Sequence, residues 1–190
     1  MLDSNRLQRL RQTSLWDFAL ELYAKPGVEH ACLTLQDDAG LDVCELLFHC
    51  WLYQHGIQAA PDALGVIREE RLGWQQQVTE ALRQLRRELK PLAAESGPIA
   101  ALRKTIQQAE LQAERENLQR WQAWAWQASE HDRRLINIEP RLHDVDKWLH
   151  DTLFNALFDT HVESEQRSRE SVLRAFEVLA CQLDHLSPSR

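Results

Sequence analysis

The chain has 190 residues and a formal charge of −7, enough for one domain with a proper core and marginal for two, and without the basic field that a general nucleic-acid binder needs. Six Gly, six Pro and only two Tyr, set among many Leu, Gln, Glu, Ala and Arg, favour helix and leave little material for strands. No run approaches the roughly 18 to 20 apolar residues that span a bilayer, and no apolar signal segment adjoins the start Met-Leu-Asp-Ser-Asn-Arg, so a cytoplasmic, all-α protein without a membrane span is expected.

Taken in order, residues 1–13 are polar apart from Leu2, Leu7 and Leu10 and promise only a loose turn or two of helix. Ser14 then stands as an N-cap with Asp17 three positions on, and Leu15, Phe18, Ala19, Leu22 and Tyr23 form a helical face that should end near Ala24. Pro26 suits the first position of a second short helix, running to about Leu35 through Val28, Ala31 and Cys32. An Asp37-Asp38-Ala39-Gly40 turn should stop it. Asp42 is the natural N-cap of a third helix, with Gly56 as its terminator. Within that helix Val43, Leu46, Leu47, Cys50 and Trp51 share one face, while Phe48 and Leu52 extend the apolar surface. A helix apolar on most sides must be buried on most sides, so the rest of the chain should pack around it.

After a loop over 57–60, Pro61 and Asp62 open a longer pattern. Trp74, Val78, Leu82, Leu85 and Leu89 make its stripe, Gly73 is a candidate break, and Pro91 should end it. A linker follows over 91–97. Pro98 begins a long helix, continuous to about Gln127, on the order of 45 Å at 1.5 Å per residue. These two form an antiparallel helical hairpin. Residues 131–140 are extended or a turn. Helical periodicity resumes from Arg141 through Val145, Trp148, Leu149, Leu153 and Leu157. A last helix, roughly 162–186, carries Val172, Phe176, Leu179, Leu183 and Leu186 as a coiled-coil-like seam. The expected architecture is a single all-α multi-helix bundle: three short N-terminal helices (14–56) packed on a long hairpin (61–129), completed by C-terminal helices (141–186).

The sequence from Leu15-Trp16-Asp17-Phe18-Ala19-Leu20-Glu21-Leu22-Tyr23, through Pro26-Gly27-Val28, Cys32-Leu33-x-Leu35-Gln36-Asp37 and Gly40-x-Asp42-Val43, to Leu46-Leu47-Phe48-x-x-Trp51-Leu52 resembles a proteobacterial family of helical proteins of uncharacterised function. The likeness returns at Glu110-Leu111-x-Ala113-Glu114-Arg115. It implies that Gln36 to Trp51 is one unit, and it brings no activity, cofactor or catalytic residue.

Five groupings are candidates for chemistry or contact. Gln36, Asp37, Asp38 and Asp42 form an acidic turn that would suit a ligand or, in the manner of helical Mg²⁺–diphosphate enzymes, a hard cation, although capping accounts for the aspartates. Capping does not account for Gln36. His30, Cys32, Cys44, His49, Cys50 and His55 lack the tight paired spacing of a zinc site. His143, Asp146 and His150 share a helix face without a Glu-x-x-His partner. No metal or cofactor is therefore expected. The four cysteines read as reduced thiols.

Arg83, Arg86, Arg87 and Lys90 lie in a stretch, 61–104, where eight basic residues meet six acidic ones. They make the hairpin tip a candidate surface for an acidic partner, although Glu80 and Glu88 at helical spacing also fit a solvated face. Trp121, Trp124 and Trp126 cannot all face one core from one helix, which makes them a second candidate contact surface. With no nucleophile–base pair or phosphate loop in view, the preferred expectation is a non-enzymatic protein-interaction or regulatory protein, binding a protein partner or its own copy through a helical seam. The alternative is a small-molecule or diphosphate-binding enzyme or carrier using the Asp37, Asp38 and Asp42 turn.

Overall fold

The computed structural model describes residues 2–129, 133–138, 145–154 and 166–185. The elements in order are α1 (Ser4–Gln12), α2 (Leu15–Tyr23), α3 (Val28–Ala39), α4 (Val43–Gln54), β1 (Ile57–Ala59), α5 (Gly65–Trp74), α6 (Glu80–Glu95), α7 (Gly97–Trp126), β2 (Leu135–Asn137), α8 (Val145–Phe154) and α9 (Gln166–His185). A 3-10 turn, Pro61–Ala63, precedes α5, and a π-helical segment, Gln75–Thr79, joins α5 to α6 without interruption. The chain is a helical bundle whose hairpin, 65–95 against 97–126, is its longest feature.

The centre is α4. Nine of its twelve residues, from Cys44 to Tyr53 apart from Glu45, are buried, and it touches α2, α3, α7, α8 and β1. Phe48 stacks on Trp121 of α7 at a centroid distance of 4.7 Å. Such a pair adds about 0.5–1.5 kcal/mol to the burial of its two rings, so this contact anchors the hairpin to the N-terminal helices. The stripe Val172, Phe176, Leu179 and Leu183 on α9 is buried within the chain, where α9 packs against α3 and α8.

The capping readings hold. Ser14 Oγ accepts from the Asp17 amide at 3.2 Å, Asp42 Oδ1 accepts from the Cys44 amide at 2.7 Å, and Gly56 closes α4 at φ +67°. Elsewhere the boundaries differ for identifiable reasons. The N-terminal residues form α1, capped by Asp3, with Leu7 and Leu10 buried; Arg6 Nη1 fixes it to the Gly56 carbonyl at 2.8 Å and to the Ile138 carbonyl. Gly27, at φ +82°, displaces Pro26 from the start of α3. That helix continues to Ala39, with Gly40 (φ +67°) closing it, so Asp37 and Asp38 belong to its last turn and not to a loop.

Gly73 does not break the hairpin helix; the extra residue is absorbed instead at the π segment two positions later. Pro91 stays inside α6. It removes one amide near the helix end, where Leu92, Ala93 and Ala94 favour helix, and the linker contracts to Ser96. The expected loop at 57–60 is a strand: β1 pairs antiparallel with β2, Ile57 opposite Asn137 and Ala59 opposite Leu135, with Ile57, Ala59 and Leu135 buried. Residues 131–132, 139–144 (which include His143), 155–165 (Leu157) and Leu186, on which parts of the C-terminal expectations fall, lie outside the described residues.

From Gln84 to Ala109 the only buried residue is Ile106. The distal half of the hairpin is therefore a two-helix arm. It leaves Leu85, Leu92 and Leu102 exposed at 44, 52 and 51%.

Candidate functional site

A cavity of about 300 Å³ opens where the base of the hairpin meets the three short helices. One wall is the α2 face Trp16, Ala19, Leu20 and Tyr23, spaced i, i+3, i+4, i+7 so that the four side chains project together. The start of α4 supplies Asp42, Val43, Cys44 and Leu47, α3 supplies Leu33 and Gln36, and α7 supplies Glu110, Leu111, Glu114 and Leu118. Gln75, the first residue of the π segment, completes the lining with Arg83, Arg86 and Arg87. A π turn rotates the residues on either side of it by one position relative to an α-helix, and such turns recur at functional sites. The size falls at the lower end of the ~300–1,000 Å³ range of small-molecule pockets. A larger hollow of about 380 Å³ between α3 and α9 is lined by Gly27, His30, Thr34, Ser171 and Arg174 among others; no buried polar atom without a partner lies among its lining residues.

A charge network floors the cavity. Arg83, 7% exposed, directs Nε to Glu110 Oε1, Nη1 to Glu80 Oε2 and Nη2 to Glu114 Oε1, each at 3.1 Å. Arg86 grips both oxygens of Glu110. Burial acts to raise the Glu110 carboxyl, but the Arg86 and Arg83 hydrogen bonds outweigh it and hold the group below the usual carboxylate range. Glu114 has only Arg83, and burial leaves its carboxyl raised.

Asp42 is pushed up to about 6 by burial, with Glu45 adding to the rise, against hydrogen bonds from the Cys44 and Glu45 amides and Asn117. Its Oδ2 has Asn117 Nδ2 at a long 3.4 Å. Burial also raises the Cys44 thiol well above its ordinary value and raises the Tyr23 phenol, so both are neutral donors near neutral pH. Gln75 Oε1 in the cavity lining and Asn117 Oδ1 next to Asp42 are buried acceptors with no partner among the described residues. Asn117 is fully buried, and a buried carbonyl without a donor costs about 1–3 kcal/mol.

The residues singled out from sequence divide. Of the acidic turn, Gln36 and Asp42 line the cavity; Asp37 faces Arg87 at 3.8 Å and Asp38 accepts from Ser171 Oγ at 2.9 Å, so the three aspartates do not converge. Of the basic run, Arg83 and Arg86 are tied to glutamates, Arg87 stands at the cavity rim, and Lys90 is exposed on the arm. Trp121 is fully buried, Trp124 lies under Arg134 at 5.5 Å, and Trp126 is 37% exposed with Nε1 directed to the Leu10 carbonyl at 3.4 Å. Among the described residues no group of three or more His, Cys, Asp and Glu is arranged to hold a metal ion. No described helix is long and apolar enough to cross a membrane.

Trp16, Tyr23, Gln75, Glu110 and Glu114 are cavity residues that sequence reasoning did not single out as a site. A signal for most of them was present: Trp16, Tyr23, Glu110 and Glu114 belong to the two stretches that carry the family resemblance. Gln75 had none, because a π turn leaves no trace in apolar periodicity. No curated protein and no solved structure matches the chain. The family described as "Protein of unknown function (DUF2390)" matches residues 14–121. Every cavity-lining residue, from Trp16 to Leu118, falls within that match, which covers more than half of the chain, and the chain belongs to this family.

Proposed function

We propose that this protein binds a small amphipathic molecule in the cavity between α2, α4 and the base of the hairpin. The observation that carries the reading is that two stretches far apart in sequence, Trp16 to Leu47 and Glu110 to Leu118, line one hollow with an apolar wall and convergent polar groups. Gln36, which capping does not explain, finds a role as part of that lining. The interaction is tested by screening small molecules for thermal stabilisation of the wild type and of Ala19→Phe, which places a ring in the cavity from a buried α2 position. Stabilising compounds should lose their effect in the variant. Stabilisation that persists in Ala19→Phe would place the binding elsewhere and contradict the proposal.

A second reading, a protein-interaction or regulatory role, is favoured by the arm. Leu85, Leu92 and Leu102 are about half exposed, flanked by Arg87, Lys90, Arg103 and Lys104. Two helices that keep leucines in water at the end of a projecting hairpin are suited to docking against another helical surface. Light scattering of the wild type and of Leu92→Glu with Leu102→Glu tests self-association through this arm. A concentration-dependent mass in the wild type, lost in the variant, supports it; a monomeric wild type at all concentrations removes the homo-oligomer.

A further inference from the structure

We propose that the molecule taken by this cavity carries a cationic amine head, received by Asp42 and Glu114, on an apolar body laid against Trp16, Leu47 and Leu118. The inference rests on the ligand-binding reading above and names the chemistry of its ligand.

The argument is an account of which polar atoms are already used. Arg83 directs all three of its nitrogens to glutamates, and Arg86 commits Nε and Nη2 to Glu110. Glu110 is thereby saturated at both oxygens. Asp42 is different: Oδ1 takes the Cys44 amide, whereas Oδ2 has only the long contact to Asn117. Glu114 receives a hydrogen bond at Oε1, and none reaches its second oxygen from the described residues. Asp42 Oδ2, the second Glu114 oxygen and the unpartnered Gln75 Oε1 are therefore acceptors with spare capacity in the cavity lining.

The charges point the same way. Three carboxylates (Asp42, Glu110, Glu114) and three guanidiniums (Arg83, Arg86, Arg87) line the cavity; Arg83 and Arg86 are held by glutamates, Arg87 is turned to Asp37 at 3.8 Å, and among the described residues no cation stands within ion-pair distance of Asp42. A buried carboxylate without a counter-charge is costly, and a bound ammonium would supply that charge together with three donors. Tyr23 adds an aromatic face that favours a cation over an anion, while the Trp16 ring already holds the Arg115 guanidinium at 5.3 Å from its centroid. Burial is the main cause of the rise of both the Asp42 and the Glu114 carboxyls; Arg83 opposes it at Glu114, and no cation opposes it at Asp42. The groups acting on Asp42 are Cys44 and Glu45 on its own helix and Asn117 on α7, with Glu114 on α7, Arg83 on α6 and Tyr23 on α2 elsewhere in the same lining.

Three near-isosteric probes separate the outcomes: phenethylamine, hydrocinnamate and phenethyl alcohol, titrated calorimetrically into the wild type and Asp42→Asn at about pH 8, above the Asp42 value of about 6. Asparagine keeps the helix cap and removes the charge. Phenethylamine should bind at least ~10-fold tighter than the other two, should lose at least ~10-fold in Asp42→Asn, and should weaken by a similar factor in the wild type at about pH 4.5 as the carboxyl protonates. Tighter binding of hydrocinnamate, or an amine affinity unchanged in Asp42→Asn, would overturn the cationic head while leaving a ligand cavity in place. Absence of binding by all three would overturn the cavity reading itself.

Discussion

Replacing Asp42 with Asn should stabilise the protein near neutral pH and leave it unchanged in acid. The Asp42 carboxyl moves from 3.8 to about 6 on folding, so the folded state holds this proton more tightly than the unfolded chain. The resulting contribution to stability is fully present below about pH 4 and is lost as pH rises through about 6. The shift of roughly two units, at about 1.4 kcal/mol each, sets a ceiling near ~3 kcal/mol for what the wild type gives up above pH 7. Asparagine cannot ionise, remains a good N-cap and can still accept from the Cys44 amide. The variant should therefore gain ~1–3 kcal/mol at about pH 7.5, a rise in Tm of roughly 2–10 °C for a chain of this size. Urea unfolding of both proteins, followed by tryptophan fluorescence at several pH values between about 4 and 7.5, reads the difference directly. Glu114, whose carboxyl is also raised, tilts both curves alike and largely cancels. A stability difference that does not grow with pH, or a less stable variant at neutral pH, would refute the reasoning.

Two further substitutions test the frame around the cavity. Arg83→Ala leaves Glu110 buried with Arg86 alone and Glu114 without a cation, and should cost about 3–5 kcal/mol by urea melt at neutral pH; a loss under 1 kcal/mol would mean that the network is not structural. Gly56→Ala should cost more than Gly40→Ala, although both glycines have φ +67°. A Cβ at Gly56 would meet the Arg6 guanidinium at 2.9 Å, whereas nothing lies within 4 Å at Gly40. Equal losses of about 1 kcal/mol, the backbone term alone, would show that Arg6 yields freely.

What was legible in the sequence was whatever follows a helical period or a cap. The α4 surface, with Leu46, Phe48, Cys50 and Trp51 spread around the helix, announced its own burial. Asp42 and Gly56 announced its limits, and Ser14 the start of α2. The short strands were hidden because three residues such as Ile57-Gln58-Ala59 are too few to show alternation, and their partner lies some eighty positions away. The cavity was half visible. Asp42 and Gln36 stood out, but sequence proximity grouped them with Asp37 and Asp38, which the α3 helix carries to a different side. Their actual neighbours, Glu114 and Gln75, come from the hairpin. The basic run misled in a similar way, since Arg83 and Arg86 point inward to glutamates one helix away, and only tertiary packing decides that.

The most direct test of the central claim is a chemical-shift titration with phenethylamine that follows the tryptophan indole N–H and glutamine side-chain amide signals. Binding in the cavity predicts saturable shifts at the Trp16 indole and at the Gln36 and Gln75 amides, with the Trp126 indole and the arm glutamines Gln84 and Gln107 unmoved. Shifts confined to the arm or to Trp126, with Trp16, Gln36 and Gln75 silent, would contradict the account.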